Sequence, residues 1–142
     1  MLARAKVFAF ACIDPRFRIA LERFIEKKFN LQPTEYDIKT DAGGVKELCN
    51  SNHIAKWLMI NAQLAHQKHG TRIFIVCNHI GCSYYEHTHG QMSREQEIKV
   101  HTQDLNTAAS LLKSRLNDIA VLKYIVSFED QPKPRYVFTQ IA

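Results

Sequence analysis

No run of about 18 apolar residues occurs anywhere in this 142-residue chain, which excludes a membrane-spanning helix. Residues Met1 to Lys6 show no secretory cleavage pattern and lead straight into the first apolar stretch, so a cytoplasmic location is the expectation. Internal repeats, low-complexity tracts and linker-like changes of composition are also missing. The length then fits one domain over residues 1–142. Charge of one sign is not concentrated: 19 basic residues stand against 14 acidic ones, for a net +5. The densest basic clusters, Lys27-Lys28 and Lys133-Pro134-Arg135, have no interleaved aromatics. A solvated basic surface accounts for them, and no nucleic-acid partner is expected.

What is present is an ordinary globular composition, 46% apolar and 23% charged, with four cysteines. In a reducing compartment four cysteines favour metal or free-thiol use over disulfides. Val7 to Ala11 and Ile73 to Cys77 are short apolar runs bounded by turn residues, which read as buried strands of a parallel sheet. After the first, Asp14-Pro15 is a helix start, with Asp as N-cap and Pro in the first turn. Phe17, Leu21, Phe24, Ile25 and Phe29 then share one helical face until Asn30 to Pro33 breaks it. Tyr36, Ile38 and Thr40 alternate with Asp37 and Lys39 as a strand with one covered face.

Asp41-Ala42-Gly43-Gly44 follows, and its paired glycines permit a close backbone approach. Asn52 caps a helix to about His69, with Ile54, Leu58, Met59, Ala62 and Ala65 inward and Gly70 as terminator. Ser83 to Met92 is polar, aromatic and aperiodic, which predicts a loop or lid. Ser93 to Gln96 resembles a capping box opening a long helix whose stripe is Ile98, Leu105, Ala108, Ala109, Leu112 and Leu116. Ile119 to Phe128 and Tyr136 to Phe138 close the chain as two strands. The expected fold is a three-layer α/β domain: a mostly parallel central sheet flanked by helices, with an antiparallel C-terminal edge strand.

The chemistry-bearing residues sit where the two apolar runs end. Cys12-Ile13-Asp14-Pro15-Arg16 follows the first, and His79-Ile80-Gly81-Cys82 the second. Side by side, these strands bring Cys12, His79 and Cys82 to their carboxyl ends, where open α/β sheets place ligands. Two thiolates and an imidazole are three donors for Zn²⁺ with a fourth position open. His-x-x-Cys is common by chance, so spacing alone also allows a small buried cysteine and two ordinary loop residues. Asp14 needs no role beyond its cap, nor Arg16 beyond solvation. Alternatively Arg16 holds Asp14 ionised, and Asp14 bonds a metal-held water or ligates the metal itself. Cys49 and Cys77 read as buried core residues. His87 and His89 read as exposed loop residues, with a proton shuttle as the alternative.

Cys-x-Asp-x-Arg after a first strand, Ala-Gly-Gly after a second and His-x-x-Cys after a third, in that order, resemble the β-class carbonic anhydrases. The phrasing around Ala42 to Leu48 is closest to the family's small carbonic-anhydrase-like members. The resemblance implies catalytic zinc on Cys12, His79 and Cys82, and an Asp14–Arg16 pair acting on the fourth ligand. It also implies substrate bordered by Ala42, Gly43 and Gly44, and a homodimer or higher homo-oligomer. The implied reaction is reversible hydration of carbon dioxide to bicarbonate by a zinc-held hydroxide. Three departures stand out. Thr40-Asp41 replaces the family's Arg-Asn, Ser83 replaces a glycine, and the family's N-terminal helical arm has no counterpart before the first strand. They leave open another heterocumulene substrate, such as carbonyl sulfide or carbon disulfide, or a non-catalytic zinc module closed by Asp14.

Overall fold

The computed structural model describes residues 3–142; Met1 and Leu2 lie outside the described residues. Strand β1 (Val7–Cys12) is buried at every position, as a central parallel strand with both faces covered must be. It pairs in parallel with β2 (Tyr36–Asp41) on one side and with β3 (Ile73–His79) on the other. Parallel β4 (Ala120–Glu129) and antiparallel β5 (Arg135–Gln140) complete the order β2-β1-β3-β4-β5. The chain moves from β1 outward to β2, then returns past β1 to β3. Winding therefore reverses between β1 and β3, and such a reversal opens a crevice at the strands' carboxyl ends.

Helix α1 (Pro15–Phe29) starts as its sequence dictates: Asp14 accepts the Arg16 N–H and Pro15 occupies the first turn. Its Phe17, Leu21 and Ile25 pack on Val7, Ala9, Ala11 and Cys77, one face of the sheet. Each buried side chain of this size contributes about 1.5–3 kcal/mol. Helices α2 (His53–Leu64) and α4 (Arg94–Arg115) cover the other face. There Leu58, Ala62, Leu105, Ala108 and Leu112 meet Phe8, Phe10, Phe74 and Val76. This is the expected three-layer sheet. The Asn52 cap, the Ser93–Gln96 capping box and the Gly70 terminator (φ +77°) form as anticipated. Between Leu64 and Gly70 the helix widens to a π turn, Ala65–His69.

Two details differ from the sequence reading. Ile54 and Ile98 are 39% and 41% exposed, whereas Leu58, Leu105 and, beside Ile98 on α4, His101 are fully buried. The segment after Cys82 is not a loop but a short helix, α3 (Ser83–His89). Tyr85 anchors it, fully buried, and Gly90 (φ +76°) ends it. No helix among the described residues is long and apolar enough to cross a membrane.

Candidate metal centre

Cys12 is the last residue of β1 and His79 the last of β3, so parallel pairing alone brings both to one edge of the sheet. Cys82 arrives through Ile80-Gly81, a tight connection in which Gly81 takes φ +73°. The donor atoms of Cys12, His79 and Cys82 all lie within 4.8 Å of one another, and all three residues are buried. The two sulfurs are 3.9 Å apart. A tetrahedral zinc with sulfurs at about 2.3 Å needs them about 3.8 Å apart. His79 Nδ1 lies 2.9 Å from the Ile80 carbonyl, which can only accept, so the proton sits on Nδ1. Nε2 is left buried with a free lone pair and no hydrogen-bond partner. Phe17 stacks on the ring at 4.1 Å and fixes its plane. A soft donor set at metal spacing, with an orphaned imidazole nitrogen aimed into it, fits zinc.

The electrostatics agree. The hydrogen bond between the sulfurs holds the Cys12 thiol well below the ordinary cysteine value and pushes Cys82 above it: the first proton leaves readily and the second resists. Backbone N–H groups of Asp14 and Gly43 add to the lowering at Cys12. Burial works against a charged His79 ring, yet the Cys12 thiolate, the Ile80 carbonyl and the Asp14 carboxylate together raise it above the usual histidine value.

Arg16 grips both oxygens of Asp14: Nε donates to Oδ1 at 3.0 Å and Nη2 to Oδ2 at 2.6 Å. This bidentate pair holds the Asp14 carboxyl below the usual carboxylate range. Asp14 Oδ2 stands 3.9 Å from His79 Nε2, and Asp14 is not part of the donor cluster. All five residues line one cleft of about 600 Å³, with Ala42, Tyr84 and His87 on its walls. Gly43 and Gly44 do not line it. A Cβ on Gly43 would meet Tyr84 Cδ1 at 2.8 Å, and one on Gly44 would strike Asn78 and the Cys77 carbonyl. The close approach these glycines permit is therefore to α3 and β3. Thr40 and Asp41 also stand outside the lining, and Lys39 Nζ lies 3.0 Å from the Asp41 carboxylate. His89 turns away from the cleft, its ring stacked on Tyr85 at 5.8 Å.

Phe17 and the polar side chains of α4 that meet the site escaped sequence reasoning. One signal was available: His101 occupies a stripe position with Leu105, Ala108 and Leu112, where an apolar residue would serve packing.

Two thiols and an imidazole meeting at the switch point of a doubly wound sheet define an α/β protein with a three-donor site able to hold a metal. A protein-family profile described as "Putative carbonic anhydrase" matches residues 3–134, and the chain belongs to that family. The carbonic anhydrase of Glaciozyma antarctica superposes with a TM-score of 0.60 at 16% identity, covering 100% of this chain and 85% of that one. The β-carbonic anhydrase CafD of Aspergillus fumigatus gives 0.62 at 12% identity, covering 97% and 90%. A structure from the two tetrameric β-carbonic anhydrases of Sordaria macrospora gives 0.54 at 11% identity, covering 100% and 84%. At these identities the likeness is one of fold. No curated protein sequence matches the chain.

Proposed function

We propose that this chain catalyses the reversible hydration of carbon dioxide to bicarbonate, with Zn²⁺ held by Cys12, His79 and Cys82. The observation that carries the reading is the Asp14–Arg16 clamp: both Asp14 oxygens are engaged, so three donors face the cleft and a fourth position stays free. Zinc in such a donor set supplies Lewis acidity and a water acidified toward neutral pH. Two thiolates donate more charge than two imidazoles and weaken that acidification, so neighbouring groups must favour the ionised nucleophile.

This chain's residues are placed to do so. The ionised Asp14 carboxylate can only accept a hydrogen bond, so it orients an attacking O–H and points the oxygen's lone pair into the cleft. Arg16 keeps Asp14 ionised and off the metal. The Ile80 carbonyl and the Phe17 ring hold His79 in the donating tautomer and plane. Ala42 and the neighbouring cleft wall leave room for a small linear guest. Hydration releases a proton, and His87 on the same wall is the side chain placed to pass it to buffer. A non-catalytic module closed by Asp14 would require Arg16 to release the carboxylate.

The proposal extends to a homo-oligomer in a reducing cytoplasm. The tetrameric Sordaria enzymes and four free cysteines support it. Asp14→Asn tests the mechanism: zinc stays bound and hydration is abolished. A fully active variant refutes the role of Asp14.

A further inference from the structure

We infer that Glu97 and His101 of α4 are positioning residues for the metal site, holding by hydrogen bonds the backbone that presents His79 and Cys82. The inference rests on the reading that these donors hold a metal.

The hydrogen-bond directions follow from one fixed point. Asn78, immediately before His79, accepts the Val45 N–H through Oδ1 at 3.2 Å, so its Nδ2 must donate elsewhere. It reaches the Tyr85 hydroxyl at 2.9 Å and His101 Nδ1 at 3.2 Å. His101 Nδ1 is therefore an acceptor, and its proton sits on Nε2. Nε2 faces Glu97 Oε1 at 3.5 Å, an electrostatic contact rather than a formed hydrogen bond. That same oxygen accepts the Gly81 N–H at 2.6 Å. Tyr85, whose oxygen accepts from Asn78, gives its own proton to Asp104 Oδ2 at 2.6 Å.

Glu97, His101 and Asp104 fall on one face of α4, four and three residues apart. They seize positions 81, 78 and 85, which bracket both donors without touching either. Asn78, Tyr85 and His101 are 2%, 0% and 0% exposed, so each bond replaces a hydration that folding has removed. Burying a histidine in a core stripe costs free energy, offset here by the Asn78 bond to Nδ1 and by the Glu97 carboxylate facing Nε2. Ile80 is tied down by its N–H to the Val126 carbonyl at 2.9 Å and by its own carbonyl to His79 Nδ1, whereas nothing lies within 4 Å of where a Gly81 side chain would begin, so the Glu97 bond is the hold on Gly81. Outer partners of metal ligands commonly govern metal affinity by about 10–100-fold.

Zinc affinity measured against a chromophoric chelator, beside amide exchange on the same protein, tests this. Glu97→Ala leaves the Gly81 N–H without an acceptor and weakens zinc binding by about 10–100-fold. Glu97→Gln keeps an acceptor and stays close to the parent. Equal affinity in a folded Glu97→Ala protein overturns the inference. Two readouts need no variant. The parent's Gly81 amide is protected from exchange, and the ¹⁵N shifts of His101 report an Nε2–H tautomer. An unprotected Gly81, or a proton on Nδ1, overturns the relay even where Glu97→Ala fails to fold. Should the parent bind no zinc, the metal reading falls while these two measurements still decide the hydrogen bonds.

Discussion

At the carboxyl edge of β1 and β3, Cys12 and Cys82 stand 3.9 Å apart, with an orphaned imidazole nitrogen and backbone amides turned toward them. Two residues back along β3, Cys77 lies among the side chains under α1, and burial pushes its thiol up to about 12. Cys49, half-buried against α4, is also pushed up to about 12, chiefly by burial and then by the charge of Asp104. The residue type is the same; the surroundings make one pair a donor set and leave the other as inert filler. The sheet's edge supplies amides, a lone pair and a clamped carboxylate. Its interior supplies none of these.

The contrast breaks most visibly through metal. Cys12→Ser or Cys82→Ser weakens zinc retention by more than about 100-fold, beyond what loss of an outer partner costs, as read by chelator competition. Cys49→Ser and Cys77→Ser leave it unchanged. Metal loss in either of the latter would erase the distinction.

Stability sharpens it next. Cys77→Ser buries a hydroxyl with no acceptor at hand and costs about 1–3 kcal/mol in urea denaturation. Cys49 Sγ already donates to the Asp104 carbonyl at 3.2 Å, so a serine hydroxyl inherits that bond and Cys49→Ser is close to neutral. Equal costs for the two would show that burial alone, without hydrogen bonding, separates them.

The pH dependence is a finer probe. Cys77 titrates higher folded than unfolded, so its contribution to stability is fully present below the ordinary value of 9.0 and is lost as pH rises toward about 12. The alkaline fall of the parent should exceed that of Cys77→Ala, measured as urea midpoints from pH 8 upward. Asp14 has the opposite sign: its depressed folded value gives stability present above the ordinary 3.8 and lost on acidification through that lower value. The smallest effect is on proton export. His87→Ala slows hydration only in dilute buffer and recovers in concentrated buffer, whereas His89→Ala changes neither.

Much of this was legible because parallel strands announce themselves. Val7 to Ala11 is a continuous apolar run because β1 is covered on both faces, and Asp14-Pro15 marks its end as a helix start. Order along the chain then placed Cys12, His79 and Cys82 at one edge. Three features were less visible. Helical periodicity marks a face only to within a residue or so at its margins, so the pattern alone places Ile54 and Ile98 inward although both are exposed. Ser83 to His89 lacks an apolar period because one buried residue, Tyr85, anchors it, with its hydroxyl on Asp104. The two glycines signalled a close approach, but their sequence could not say that Asn78 and Tyr84 are what they approach.

Zinc content and carbon dioxide hydration, measured on one preparation from neutral to alkaline pH, test the central claim most directly. The account predicts about one zinc per chain, in keeping with a single three-donor site, and hydration that rises with pH. A full complement of zinc with no hydration at any pH would contradict it.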